Sequence, residues 1–219
     1  MNRTKKLTTL AMLTSMAYLV GAMFRLRGVF AAAPFLTYDP KDVVILMGGF
    51  MFGPLSALAM SVIVALLEMA TISVSGLIGA AMNALSSASF ACTAAYVYSK
   101  KKNLQGAVLG LALAVFVVTG VMLLWNYLMI PLYTPQPRSA VVNIMLPALL
   151  PFNLIKASLN ASIALLLYKK ISEALKSAGL YIETSPSSNP GRLSTAVMMV
   201  SAVITVVLVA ILFIIRAAD

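Results

Sequence analysis

Successive membrane-length apolar runs constrain this chain more than any other feature. They cover Leu7 to about Phe24, Val43–Phe52, Leu55–Ala70, about Gly76 to Tyr98, Gln105 to about Ile130, about Asn143 to Lys170, and Leu193–Ile215. A bilayer core takes about 20 predominantly apolar residues per helix, so six or seven spans use up the chain and leave no separate soluble domain. The second run is too short for a simple span, and Gly53-Pro54 separates it from the third, glycine suiting a helix end and proline a first turn. The composition agrees: 61% of the 219 residues are apolar, 10% are charged and the mean hydropathy is +0.98, against roughly 45–50% apolar and about 25% charged in soluble domains. The predicted fold is an all-α polytopic membrane bundle. It has a six-helix core (1–170), a cytoplasmic linker (171–192, rich in Ser, Pro, Asn and Gly) and an appended transmembrane helix (193–219).

Several chemistries are excluded. There is no histidine, and the single cysteine, Cys92, lies inside an apolar run, so disulfides, zinc sites and histidine acid/base catalysis drop out. A phosphate-binding GxxxxGK[ST] loop, HExxH and a nucleophile elbow are all missing, so the sequence gives no basis for an enzyme or a resident cofactor. The apolar stretch after the basic flank Met1–Lys6 is long and lacks a small-residue cleavage site, which predicts a retained first helix. The net charge of +10 is largely topological. With the N-terminus in the cytoplasm, Arg3, Lys5, Lys6, Lys100 to Lys102, Lys169, Lys170, Lys176 and Arg192 lie inside, against Arg25, Arg27, Lys41, Arg138 and Arg216 outside. That asymmetry fits a multi-pass protein of the cell membrane by the positive-inside rule, with lipid as its surroundings and no need for nucleic acid.

Within the sixth run, Lys156 has Asn153 three residues before it and Asn160 four after, so a helix puts all three on one face. An ionisable residue in a span marks a functional site facing the bundle interior by default; the alternative is a lysine that snorkels to the interface. Lys156 is about 14 residues from the basic end at Lys169-Lys170, roughly 21 Å of helix, which places it in the outer half. Pro147 and Pro151 predict irregular backbone beside Asn153, because a proline in lipid frees a carbonyl. Asn126, near the outer end of the fifth run, can face Asn153. Together these amides and the ammonium suit carbonyl and ring-nitrogen acceptors of a small molecule, or Asn126 makes a single interhelical hydrogen bond. Glu68 can pair with Lys156, accept from a ligand hydroxyl, or sit solvated at the interface. Asn83, Ser86 and Ser87 form a polar stripe suited to a ligand or to helix packing. Phe35-Leu36-Thr37-Tyr38-Asp39 suits a lid over the site or an interfacial anchor. The small-residue pairs Ala11/Ser15 and Ala17/Gly21 allow close helix approach.

Four motifs together carry a resemblance: Phe35 to Asp42 (FLTYDPKD), Gly48 to Pro54 (GGFMFGP), Leu124 to Tyr127 (LWNY) and Pro151 to Lys156 (PFNLIK). They resemble substrate-binding S components of energy-coupling factor vitamin transporters, the riboflavin type most of all, over about residues 5–170. The resemblance implies a six-helix subunit that captures riboflavin from outside and delivers it with a shared transmembrane coupling subunit and two ATP-hydrolysing subunits. It implies that Asn126, Asn153 and Lys156 bind the flavin ring; we expect Glu68 and the loop of Leu36, Tyr38 and Asp39 to contact the ribityl chain or close the site, with Asn83 a further candidate substrate contact. Ala11 and Ser15 stand where such subunits typically carry an Ala-x-x-x-Ala pair that docks the coupling subunit. The seventh apolar run departs from the pattern. Pantothenate and folate subunits share the Asp-bearing loop and the Gly-Pro turn, and remain alternatives. A self-sufficient carrier would need a continuous polar path or an internal repeat, and neither is present.

Overall fold

The computed structural model describes residues 3–28, 36–73, 76–133, 137–177 and 190–218. The first long helix, α1 (Arg3–Met23), leads into a short antiparallel pair, β1 (Leu26–Arg27) and β2 (Thr37–Tyr38), in which Leu26 pairs with Tyr38 and Arg27 with Thr37. There follow α2 (Lys41–Phe52), α3 (Pro54–Thr71), α4 (Gly76–Lys100), α5 (Leu104–Tyr133), α6 (Arg138–Ile144), α7 (Leu150–Ser177) and α8 (Pro190–Ala218). The expected break falls where the sequence puts it. Gly53 adopts φ +92°, which only glycine takes without strain, and Pro54 opens α3.

Among the described residues, five stretches are long and apolar enough to cross a membrane: α1, α3, α4, α5 and the composite helix over residues 138–168. The second helix is something else. Its 12 residues make roughly 18 Å of helix, well short of the ~30 Å hydrocarbon core, and nearly all of them are buried among α1, α3, α4 and α7. Close approach explains its glycines: a Cβ on Gly49 would lie 3.0 Å from the Cβ atoms of both Ala57 and Ala95. Thus α2 is the axis around which the spans pack, and whatever its first turn carries is delivered into the interior.

The sixth run starts earlier than expected, at Arg138, and passes through a π-helical turn, Met145–Leu149, before α7. That turn contains Pro147 and lies just before Pro151, so the widened backbone absorbs the missing N–H groups where irregularity was expected beside Asn153. Likewise Pro131 does not end α5 at Ile130; the helix carries it to Tyr133.

Two apolar clusters hold the bundle. The larger joins Ile45, Leu46 and Phe50 of α2 to Met60, Phe90, Leu111 and Met122 of the neighbouring helices. The smaller gathers Leu36 and Tyr38 of the hairpin with Ile130, Val141, Leu149, Phe152 and Leu159, and α8 adds Leu208 and Val209 to it while packing along α7. Large apolar side chains such as Leu7, Met12, Leu55, Phe116 and Val203 line the perimeter, as a chain in lipid requires.

Candidate ligand-binding site

Three of the six acidic residues of the chain, Asp39, Asp42 and Glu68, are buried together with Lys41 and Lys156. Lys41 and Asp42 occupy the first turn of α2, Asp39 the loop just before it, Glu68 the last turns of α3, and Lys156 the second turn of α7. Lys41 Nζ lies 2.5 Å from Glu68 Oε2 and 3.8 Å from Asp39 Oδ2. Lys156 Nζ lies 3.5 Å from the same Asp39 oxygen and donates to the Thr37 carbonyl at 3.4 Å. Charges this deep persist only when paired and hydrogen-bonded, and the amides and hydroxyls complete the set. Asn83 Nδ2 donates to Glu68 Oε2 at 3.1 Å. Ser87 Oγ and Asn160 Nδ2 donate to the two Asp42 oxygens at 2.5 and 3.3 Å, and the Tyr38 hydroxyl donates to Asn160 Oδ1 at 3.2 Å. The hairpin, α2, α3, α4 and α7 therefore meet in one polar knot inside an apolar bundle.

Burial alone would raise the Asp39 carboxyl, but Lys156, Lys41 and Arg25 around it more than offset that and hold it below its ordinary value. Burial, with Asp39 and Asp42 beside it, pushes the Tyr38 phenol well above its own. Both groups keep the state their partners need.

Beside the knot lies a small pocket lined by the polar side chains of Asp42, Ser86, Asn153 and Lys156 and by Phe90, Val118 and Ala157. A few polar groups among apolar side chains is the arrangement of small-molecule sites, which at about 300–1,000 Å³ are far roomier than this pocket. A ligand with a fused ring system therefore needs the walls or the hairpin to give way.

The expected residues fall into place unevenly. Lys156 is only 9% exposed and turns inward, so it does not snorkel; with Asn153 it lines the cavity. Asn126 is buried, but its amide turns back to the Met122 carbonyl at 2.7 Å, just as Asn153 turns back to Leu149 at 2.7 Å. Asn126 is not among the cavity-lining residues, and its Oδ1 is buried without a hydrogen-bond partner. Glu68 pairs with Lys41 rather than with Lys156, because α3 ends beside the first turn of α2. Lys41 itself, assigned to an outside loop by its place in the sequence, is 2% exposed. Asn83 joins the knot through Glu68, and Leu36 packs beneath the hairpin. Ala11 and Ser15 lie exposed on α1, the Ser15 hydroxyl bonded to the Ala11 carbonyl at 3.0 Å. Sequence reasoning missed Lys41 and Asp42 as members of the site, left Ser86 and Ser87 between ligand contact and helix packing, and left Asn160 open. A readable signal existed for the first two, since a run too short to span and rich in glycine is a buried helix, and its first turn goes inside with it.

The family described as "ECF transporter, substrate-specific component" matches residues 5–168. The chain belongs to this family of S components. It is 31% identical over 182 residues to the riboflavin transporter RibU of Staphylococcus aureus (strain TCH60), a match covering 80% of this chain and 95% of that one. Among solved structures, the S component of a bacterial ECF transporter superposes with a TM-score of 0.69 at 30% identity, covering 80% of this chain and 99% of the other. For this S component the family match ends at residue 168, ahead of α8 and after every residue of the polar knot. Its family is one of transport components, not of enzymes.

Proposed function

We propose that this S component binds riboflavin from the outer side of the cell membrane and delivers it through an energy-coupling factor importer. The observation that carries the reading is the joint placement of Asn153 and Lys156 with Phe90 and Val118 in the lining of one pocket, in a chain similar to a riboflavin transporter. A flavin ring is broad and neutral, with carbonyls and ring nitrogens along one edge. Lys156 and Asn153 donate to that edge, and the unpartnered Oδ1 of Asn126 offers an acceptor to its imide N–H. Phe90, Val118 and Ala157 cover the rest, where burial of apolar surface supplies affinity and the amides supply specificity. The Tyr38–Asp39 segment closes the site; Glu68 and Asn83 hold Lys41 beneath it.

ATP hydrolysis comes from two partner subunits, and a transmembrane coupling subunit docks on the exposed α1 face around Ala11 and Ser15. The N-terminus lies in the cytoplasm, and residues 1–170 form the functional core with α8 appended. Purification tests the ligand directly. Co-purified riboflavin gives a yellow preparation with flavin absorbance, and a colourless preparation quenches the fluorescence of added riboflavin as it binds it. A colourless protein that fails to quench contradicts the reading, and heat on titration with pantothenate would redirect it to another vitamin.

A further inference from the structure

Arg25 acts on Asp39 only through its charge in the site described so far, yet the hairpin sets it where it could pair. The antiparallel register pairs Leu26 with Tyr38 and Arg27 with Thr37, and it continues through the Gly28 N–H to the Leu36 carbonyl at 3.3 Å. Extended by one residue the other way, it sets Arg25 opposite Asp39. Arg25 Nε and Nη1 are buried without hydrogen-bond partners, and so is Asp39 Oδ1. Two orphan donors and an orphan acceptor thus stand across one strand pair, although buried polar groups in folded proteins are almost always satisfied. The charge balance points the same way. Among the described residues Asp39, Asp42 and Glu68 share two ion-paired cations, Lys41 and Lys156, and the Arg25 guanidinium near Asp39 is the third that brings the knot to neutrality. Asp39 Oδ2 meanwhile holds Lys156 at 3.5 Å, which competes with any ligand for that ammonium.

We propose that Arg25 is a positioning residue that takes over Asp39 when riboflavin takes Lys156. The guanidinium pairs with Asp39 across the hairpin, Lys156 turns its N–H groups to the flavin edge, and the same exchange pins the hairpin over the cavity. A planar fork suits this better than an ammonium, because it can engage both carboxylate oxygens at once. The inference rests on the riboflavin reading of the site.

The test is a double-mutant cycle on the full chain in detergent, read by riboflavin fluorescence quenching and by the flavin-free melting temperature. Arg25→Gln should weaken riboflavin binding about tenfold, as loss of a charge-assisted hydrogen bond does. In an Asp39→Asn background the same change should cost less than about twofold, while the two substitutions couple only weakly in the flavin-free melting temperature, where Arg25 Nε and Nη1 and Asp39 Oδ1 make no hydrogen bond. Coupling in affinity that clearly exceeds coupling in flavin-free stability is what an exchange requires and a merely structural ion pair would not give. Unchanged affinity of Arg25→Gln, an equal loss in both backgrounds, or equal coupling in both readouts each overturns it. If Arg25→Gln does not fold, Arg25→Lys replaces it in the cycle. Its expected loss is about threefold, vanishing in the Asp39→Asn background, and absence of that loss overturns the inference. Wild-type protein that does not bind riboflavin removes the functional reading and this inference together; wild-type binding with an indifferent Arg25→Gln removes only the inference.

Discussion

Gly21 of α1 lies directly against Glu68 of α3: a Cβ at Gly21 would stand 3.0 Å from Glu68 Oε1 and 3.2 Å from Lys41 Cδ. The small residue lets α1 close over the Lys41–Glu68 pair, tying the helix that carries the Ala11/Ser15 face to the floor of the site. Gly21→Val should therefore displace the ion pair and destabilise the protein by about 1–3 kcal/mol, the usual cost of overpacking. Flavin affinity should fall with it, and Gly21→Ala should lie between. Thermal melting in detergent decides; a valine variant that melts and binds like wild type would show that α1 can move aside freely.

Removing one member of a buried ion pair costs more than removing both. Lys41→Met leaves Glu68, 1% exposed, with Asn83 as its remaining partner here, and should destabilise by about 3–5 kcal/mol. Adding Glu68→Gln should recover part of that loss. A double variant whose stability is the plain sum of the single effects would argue against a tight pair.

The pH dependence has a defined sign. Asp39 lies in the loop before α2, and its carboxyl is held below the ordinary 3.8. Its contribution is therefore present above pH 3.8 and lost as the pH falls through the lowered folded value. Tyr38 is the converse: its raised phenol contributes below the ordinary 10.0 and loses its contribution only as the pH climbs through the raised value. Melting temperature should accordingly be level from about pH 5 to 8 as far as these groups are concerned, with Asp39's share disappearing only in acid. An Asp39→Asn variant with the same acid limb as wild type would refute that assignment.

Because α8 adds Leu208 and Val209 to the smaller apolar cluster but, among the described residues, no side chain to the ion network or the pocket lining, its loss should lower stability more than affinity. A chain ending before residue 190 should melt earlier and still quench riboflavin fluorescence with affinity within about threefold of wild type. Loss of binding in a truncated protein that remains folded would make α8 part of the site.

Much of this was legible in the sequence because lipid enforces simple rules. Span length, the Gly53-Pro54 break and the proline-driven irregularity before Asn153 all follow from backbone hydrogen bonding in an apolar medium. The inward lysine was legible as well, since an ammonium in a span must find partners. Partner choice was not. Whether Glu68 meets Lys41 or Lys156 depends on where α3 ends relative to the first turn of α2, a tertiary fact with no periodic signature. Asn126 shows the same limit: its position on α5 was readable, but the turn of its amide back to Met122 is a rotamer choice made by local packing.

The most direct test is riboflavin titration of wild type against Lys156→Met, with folding checked by melting temperature. The expected result is a folded variant whose affinity drops by at least about 1 kcal/mol, roughly fivefold, given about 1.5–3 kcal/mol for a hydrogen bond to a charged group. A folded Lys156→Met variant that binds riboflavin as tightly as wild type would contradict the central claim.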